Sequence, residues 1–352
     1  MKNDVKYHAI LWFLAALLTA CNTIVPLENK LQEARVVYHI NYTSESDQHD
    51  PASFTLALLR TYNALHQIIE IAPAGDDTVT VALGEYLVMA VGSVSPERFT
   101  LQYMGPASDT SAVWQADALY ACLPELSEKQ INSRFGGYNW IDETYPVVQE
   151  AAPIYLAKER RKFLNGDHVE RLEMQAHDVS QVVRFRFSIE TDPNIAIDSV
   201  FAGISGVARR VQVISSAVAR DMDQMGQTLF EVYPVGGNVY EGSLRCLGIF
   251  PSSNAEYEYA PGVLRLHIYA SMGEISRYVD ARVNLKEKIE EARLLVDSDQ
   301  TGYYSIAERQ PLIVIDTPLL ITEENIQAEG DVYLEWVNHD IDQDENGDNL
   351  EF

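Results

Sequence analysis

Apolar and polar positions alternate along this chain in short runs, and most of the runs read as strands. In residues 182–189, V-V-R-F-R-F-S-I, one face carries Val183, Phe185, Phe187 and Ile189, and the other carries Arg184, Arg186 and Ser188. That period of two is the mark of a half-buried strand. Leu264, Leu266 and Ile268 alternate in the same way with Arg265, His267 and Tyr269, which puts His267 on an outward, solvated face. Further β-rich runs fall at 35–42, 54–61, 67–71, 78–83, 86–91, 99–103, 153–156, 197–204, 210–214, 228–233 and 239–250. Turn residues separate the early runs, among them Asp50-Pro51, Gly75-Asp76-Asp77, Gly84 and Ser95-Pro96. Short strands at such spacing predict a sandwich or barrel rather than a parallel βαβ sheet.

Residues 105–139 are less regular: 117–126 could form a helical turn, and Phe135-Gly136-Gly137-Tyr138 reads as a loop. The polar run Lys158-Glu159-Arg160-Arg161-Lys162, followed by Asn165-Gly166-Asp167, reads as a break, so a domain boundary is expected near residue 165. One helical stripe stands out at 285–295, where Leu285, Ile289, Ala292 and Leu295 share a face and Asn284 is placed to cap. Strands at 311–321 and 332–337 close the pattern. The expected architecture is all-β, with two tandem β-sandwich domains at 33–165 and 166–337 and one short helix in the second.

The N-terminus carries a different signal. Lys2 and Lys6 precede an unbroken apolar run over residues 10–18, which closes on Leu18-Thr19-Ala20-Cys21. The run is shorter than the roughly 20 residues of a spanning helix and matches the central part of a secretory signal. Its last four residues resemble a bacterial lipobox. The resemblance implies removal of residues 1–20, diacylglycerol on Cys21 and acylation of the new amino group, with more than one chain for stable anchoring. The alternative is an ordinary leader in which Cys21 falls by chance. Residues 21–32 then form a tether from the outer membrane to the first strand.

Composition narrows the partners. The net charge is −26, and the leader carries Lys2, Lys6 and Asp4, a net +1, so the processed chain stands at −27. A surface that acidic repels phosphate backbones and excludes nucleic acid as a partner. It also disfavours lying flat on anionic lipid, which leaves the acyl chains as the membrane link. Cys122 and Cys246 lie in separate apolar runs with no CxxC spacing and read as two buried thiols, although a secreted location permits a disulfide.

Enzyme signatures are missing from the sequence. Gly203-Ile204-Ser205-Gly206 has the wrong spacing for a nucleophile elbow, and neither HExxH nor a P-loop occurs. No catalytic residue and no cofactor is assigned. Residues 338–352 form an acidic tail without Lys or Arg, expected to be solvated. Within it Asp342, Asp344, Asn346 and Gly347 reproduce the first half of a calcium loop, a candidate metal site, but Glu351 falls short of the closing position. Arg35, between tether and first strand, is a candidate protease site that would free the chain from its lipid. Its plainer reading is an edge-strand charge that discourages pairing.

Three stretches together resemble one family. They are Gly84-Glu85-Tyr86-Leu87-Val88, the run 197–208 ending in Ile204-Ser205-Gly206-Val207-Ala208, and the end from Leu312 through Gly330-Asp331-Val332-Tyr333-Leu334-Glu335-Trp336. They are similar to the G-x-Y strand, the L-S-G-hydrophobic-A strand and the closing G-x-x-V-x-x-W hairpin of the Bacteroidales fimbrillin-like group. That group includes lipid-linked anchor and accessory subunits of type V pili. The resemblance implies two transthyretin-like Greek-key sandwiches, partners among other fimbrial subunits, and assembly by strand exchange after proteolysis at an Arg. The acidic tail is a poor donor strand, which fits an anchor or accessory subunit on the cell surface. The rival expectation is a surface glycan- or nutrient-binding lipoprotein, with loops 137–140 and 257–259 offering aromatic rings.

Overall fold

The computed structural model describes residues 33–42, 53–60, 64–71, 78–103, 119–137, 139–164, 168–218, 222–253, 260–298, 302–305 and 310–336. Cys21, the tail with Asp342, Asp344 and Asn346, the boundary residues 165–167 and the loop 257–259 lie outside these. The protein is all-β. The strands of its first half are β1 (Glu33–Asn41), β2 (Ser53–Arg60), β3 (Ala64–Ile71), β4 (Thr78–Ala82), β5 (Gly84–Ser93), β6 (Thr100–Tyr103), β7 (Leu119–Cys122), β8 (Ile154–Phe163), β9 (Val169–Gln175) and β10 (His177–Asp178). Sheet β4-β1-β9 packs on sheet β10-β8-β5-β2-β3.

In the middle of the five-stranded sheet, β2, β5 and the start of β8 are buried on both faces, and their sequence shows why. Strand β2 is a nearly continuous apolar run: Phe54, Leu56 and Leu58 enter the core shared with β1, while Ala57 and Leu59 enter a second, larger core. Strands β5 and β8 divide likewise, with Val88, Ala90 and Tyr155 on one side and Met89, Val91 and Ile154 on the other. Two-sided burial replaces alternation with continuous hydrophobicity.

The second half contains β11 (Gln181–Thr191), β12 (Ala196–Ala208), β13 (Arg210–Gln212), β14 (Met225–Gly236), β15 (Val239–Cys246), β16 (Val263–Met272), β17 (Ile275–Asn284), β18 (Leu295–Ser298), β19 (Gly302–Ser305), β20 (Leu312–Val314), β21 (Leu319–Ile321) and β22 (Val332–Glu335). Nine of these form one curled sheet, β20-β11-β15-β14-β12-β16-β17-β22, with β21 also on β11. Strands β11 and β12 are consecutive in the chain but stand apart, because the β14–β15 hairpin lies between them. That is a Greek-key excursion. The curl brings the two ends of the sheet together: Trp336, just past β22, meets Phe187 of β11 edge-on with ring centroids 5.3 Å apart. Its indole N–H donates to the Thr317 carbonyl at 2.8 Å.

Several expectations are corrected. The run Lys158–Lys162 is not a break but the outer half of β8: it pairs with β5 throughout, while β10 covers only Tyr155 and Leu156. Five successive exposed residues there belong to an edge, where charge deters further pairing. Strand β9, beyond residue 165, pairs in parallel with β1 and sends Leu172 and Met174 into the first core. Residues 119–122 are strand rather than a helical turn; the helix follows as α1 (Glu128–Arg134). The capping box of Ser127 and Gln130 explains its start.

The stripe at 285–295 yields only α2 (Lys286–Ala292). Arg293 in the left-handed region ends it, and Leu295 opens β18. Leu285, not Asn284, holds the cap position and makes no side-chain cap; Asn284 sits one residue earlier, its side-chain oxygen accepting from Lys286 N at 3.0 Å. A second helix, α3 (Glu323–Gln327), separates β21 from β22. The terminal segment is therefore no hairpin: β20 runs parallel to β11 and β22 parallel to β17, at opposite ends of the sheet order. Strand β12 runs on past Gly206. It continues through a bulge where Gly206 adopts φ +77°, and a Cβ there would lie 2.8 Å from the Phe250 carbonyl.

Candidate functional site

The side of the curled sheet that faces away from its core carries a cluster of buried polar side chains, among them Arg265 and His267. Register alone assembles it. Across β14, β12, β16 and β17, Glu231, Phe201, His267 and Asp280 fall in one row, and Leu229, Gly203, Arg265 and Arg282 fall in the next. Alternation correctly placed His267 on this outward face, but the face is covered. Residues 126–147, including α1, lie across it as a strap, closed on itself where Leu126 N donates to the Val147 carbonyl at 2.8 Å. Ile131, Phe135, Trp140, Ile141 and Val147 of the strap form a small core with Leu229 of the sheet, and Phe201 packs against it.

His267 is thus 1% exposed rather than a surface residue. Its imidazole lies flat between Trp140, 5.1 Å away and 3° from parallel, and Tyr278, 3.9 Å away. Its Nδ1 contacts Asp280 Oδ1 at 2.5 Å. The arrangement requires two glycines. A Cβ on Gly203 would lie 3.3 Å from the Trp140 ring, and one on Gly136, at φ +76°, would meet the Tyr278 hydroxyl at 2.9 Å. Neither the covering strap nor the stack can be read from a local pattern, because their partners are about 130 residues apart.

A buried ion pair fixes the strap beside this stack. Arg265 Nη2 donates to Asp142 Oδ2 at 2.8 Å, with both side chains nearly without exposed surface. Burial pushes the Asp142 carboxyl up, but hydrogen bonds from Thr144 and the charge of Arg265 outweigh it and hold the group below its ordinary range. Gln227 adds a donor to the Tyr145 carbonyl at 2.6 Å. Between the strap and β22 the face leaves a cleft of about 240 Å³, lined by Asn139, Trp140, Arg265, Asp280, Arg282 and Tyr333, among others. Trp140, proposed by the sequence as a ring for ligands, is instead committed to His267 and is only 5% exposed. Tyr333, 60% exposed, is the aromatic residue that faces solvent at the cleft.

A second pin joins the two halves. Asp178 accepts from Ser180 N at 2.8 Å and from Arg245 Nη1 at 2.9 Å. Burial deep between the halves raises its carboxyl above the ordinary value, with the Ser180 and Arg245 contacts offsetting only part of that. The thiols of Cys122 and Cys246 are free and buried. Burial raises both, Cys246 to about 12, so neither is poised as a nucleophilic thiolate. Among the described residues no group of three or more His, Cys, Asp or Glu could hold a metal ion.

Strand β1, the first described strand, is not an edge strand. It lies in the middle of its sheet, antiparallel to β4 and parallel to β9. Arg35 points outward, but its backbone is paired on both sides, with Thr80 and Val169. Ala34, Val36, Tyr38 and Ile40 face the core. No helix of the described residues is long and apolar enough to cross a membrane.

No family model matches the chain, and no curated protein matches it. Solved structures do. A candidate adhesin from Bacteroides ovatus is 12% identical with a TM-score of 0.49, over 80% of this chain and 92% of that one. A candidate polysaccharide-binding protein from Bacteroides thetaiotaomicron is 10% identical with a TM-score of 0.42, over 82% and 92%. The fimbrial anchor protein Mfa2 from Porphyromonas gingivalis is 11% identical with a TM-score of 0.41, over 82% of this chain and 90% of that chain.

Proposed function

We propose that this chain is a lipid-anchored protein of the cell envelope that serves as an anchor or accessory subunit of a fimbria and meets its neighbours through β-strand contacts. The observation that carries the reading is the seat of β1. The tether from Cys21 leads into a strand paired on both sides, with four side chains in the core. Tension arriving from the acyl chains along β1 loads two ladders of hydrogen bonds together, as a holdfast requires. Cutting after Arg35 would require β1 to leave both partners and would leave residues 36–41 in the sheet. We therefore propose that the folded chain stays uncut and keeps its lipid. We place the division between two units after Asp178, because β9 pairs with β1 and β10 with β8.

The test has two parts. Metabolic labelling with palmitate is expected to mark the wild-type chain and to fail on Cys21→Ala, which should leave the membrane fraction. Mixing the purified chain with pilin subunits is expected to give complexes that resist SDS. A label retained by Cys21→Ala refutes the anchor. A failure of every pilin to form a complex refutes the fimbrial role.

A further inference from the structure

The cleft between strap and β22 has a composition that selects among ligands. Its floor comes from neighbouring positions of β16 and β17: Arg265, Asp280 and Arg282. One wall is Asn139 and Trp140 of the strap, and the other is Tyr333 of β22. We propose that this cleft binds one hexose-sized sugar ring, presented at the end of a larger glycan.

The reasoning is chemical. An apolar ligand would strip water from the Arg282 guanidinium and from the part of Asp280 that stays exposed, and return no hydrogen bonds. A small anion would be held against Asp280, and a small cation against Arg265 and Arg282. A neutral polyol avoids both conflicts, because each hydroxyl donates and accepts. It gives hydrogen bonds to Asp280 and receives them from the guanidinium groups and the Asn139 amide. Tyr333, 60% exposed, offers a ring face that the C–H side of a sugar covers. The volume lies below the roughly 300 Å³ at which drug-sized pockets begin, so one ring fills it.

The polar groups are held before any ligand arrives. His267 fixes Asp280 at 2.5 Å and is itself clamped between two rings. Asp142 fixes Arg265 at 2.8 Å. Such preorganisation lowers the cost of ordering the site on binding. The strap supplies one wall and the second unit supplies the floor, so the site exists only in the whole molecule.

The experiment is a glycan array probed with the full chain, followed by calorimetric titration of the best free monosaccharide among neutral hexoses, N-acetylhexosamines and hexuronic acids. Short peptides serve as the comparison ligand. Binding of a neutral sugar in the micromolar to millimolar range is expected. Tyr333→Ala should weaken it about ten-fold or more, and Asn139→Ala by a smaller factor, while Tyr233→Ala, an exposed tyrosine elsewhere on the sheet, leaves it unchanged. Both test residues are exposed, and matched melting temperatures establish that the variants fold. No sugar bound at millimolar concentration, binding indifferent to Tyr333→Ala and Asn139→Ala in folded protein, or binding of peptides alone would each overturn the proposal.

Discussion

Two Arg–Asp pairs hold the halves of this protein together, and they behave in opposite ways. Arg265–Asp142 fastens the strap to the outer face of the curled sheet, and Arg245–Asp178 pins the neck between the units. Both have a contact near 2.9 Å or below and little exposed surface. Yet the Asp142 carboxyl is lowered and the Asp178 carboxyl is raised. At Asp142 desolvation is the largest single influence, yet the hydrogen bonds from Thr144 and the Arg265 guanidinium together outweigh it. At Asp178 desolvation exceeds what Ser180, Arg245 and Ile154 return. An ion pair's geometry alone therefore does not say which protonation state the fold prefers.

The comparison can be broken first at the strap. Arg265→Ala leaves the Asp142 carboxylate buried without its cation and should cost about 3–5 kcal/mol. Urea melts would measure the loss, and limited proteolysis should now cut within 126–147. Trp140→Ala, which removes the ring over His267 and Gly203, should cost about 3 kcal/mol or more by the same melts. Arg245→Ala should be milder, about 2–3 kcal/mol, since Asp178 keeps its Ser180 and Ile154 bonds and readily takes a proton. Equal costs for Arg265→Ala and Arg245→Ala would erase the distinction drawn here.

Acidity sharpens it without removing an arginine. The stabilisation from Asp142 is present above the ordinary carboxyl value of 3.8 and is lost as pH falls through its lowered folded value. The advantage of wild type over Asp142→Asn should therefore shrink toward acid. Asp178 holds its proton more tightly folded than unfolded, so its ionisation withdraws stability as pH rises from 3.8 through its raised value. The advantage of wild type over Asp178→Asn should be greatest in acid and smaller above that range. Melting both variants from pH 3 to pH 7 (about four units) tests the two slopes, and slopes of the same sign would contradict the assignment. The smallest effect is expected at the rim of the strap. Arg134→Ala breaks an exposed pair with Glu231 at 3.8 Å and should cost at most about 0.5 kcal/mol, vanishing in high salt.

Much of the fold was legible in the chain. The alternation of residues 182–189 predicts β11 and its faces, because one side of that strand meets the core and the other does not. The runs at 54–61 and 86–91 predict β2 and β5 for the opposite reason, being apolar on both faces. Strand β9 escaped, since V-E-R-L-E-M-Q carries charge at its outward positions and offers only Leu172 and Met174 to the core. The site was less legible. Ser127-x-x-Gln130 signals α1 and would have located the start of the strap. Nothing near His267 in sequence announces that Trp140 will lie on it.

What the sequence determined by itself is whatever depends on neighbours within a few residues. That includes the strand period, the capping box of α1, the acidic charge and the short apolar run before Leu18-Thr19-Ala20-Cys21. The tertiary structure decided which outward faces stay outward. His267 and Arg265 alternate as solvated side chains should, and they are buried because a segment more than a hundred residues earlier covers them. The physical reason is that a strand's alternation records only that its two faces differ. Whether the polar face meets water or a polar, hydrogen-bonded covering layer is settled by contacts that close a long loop of chain.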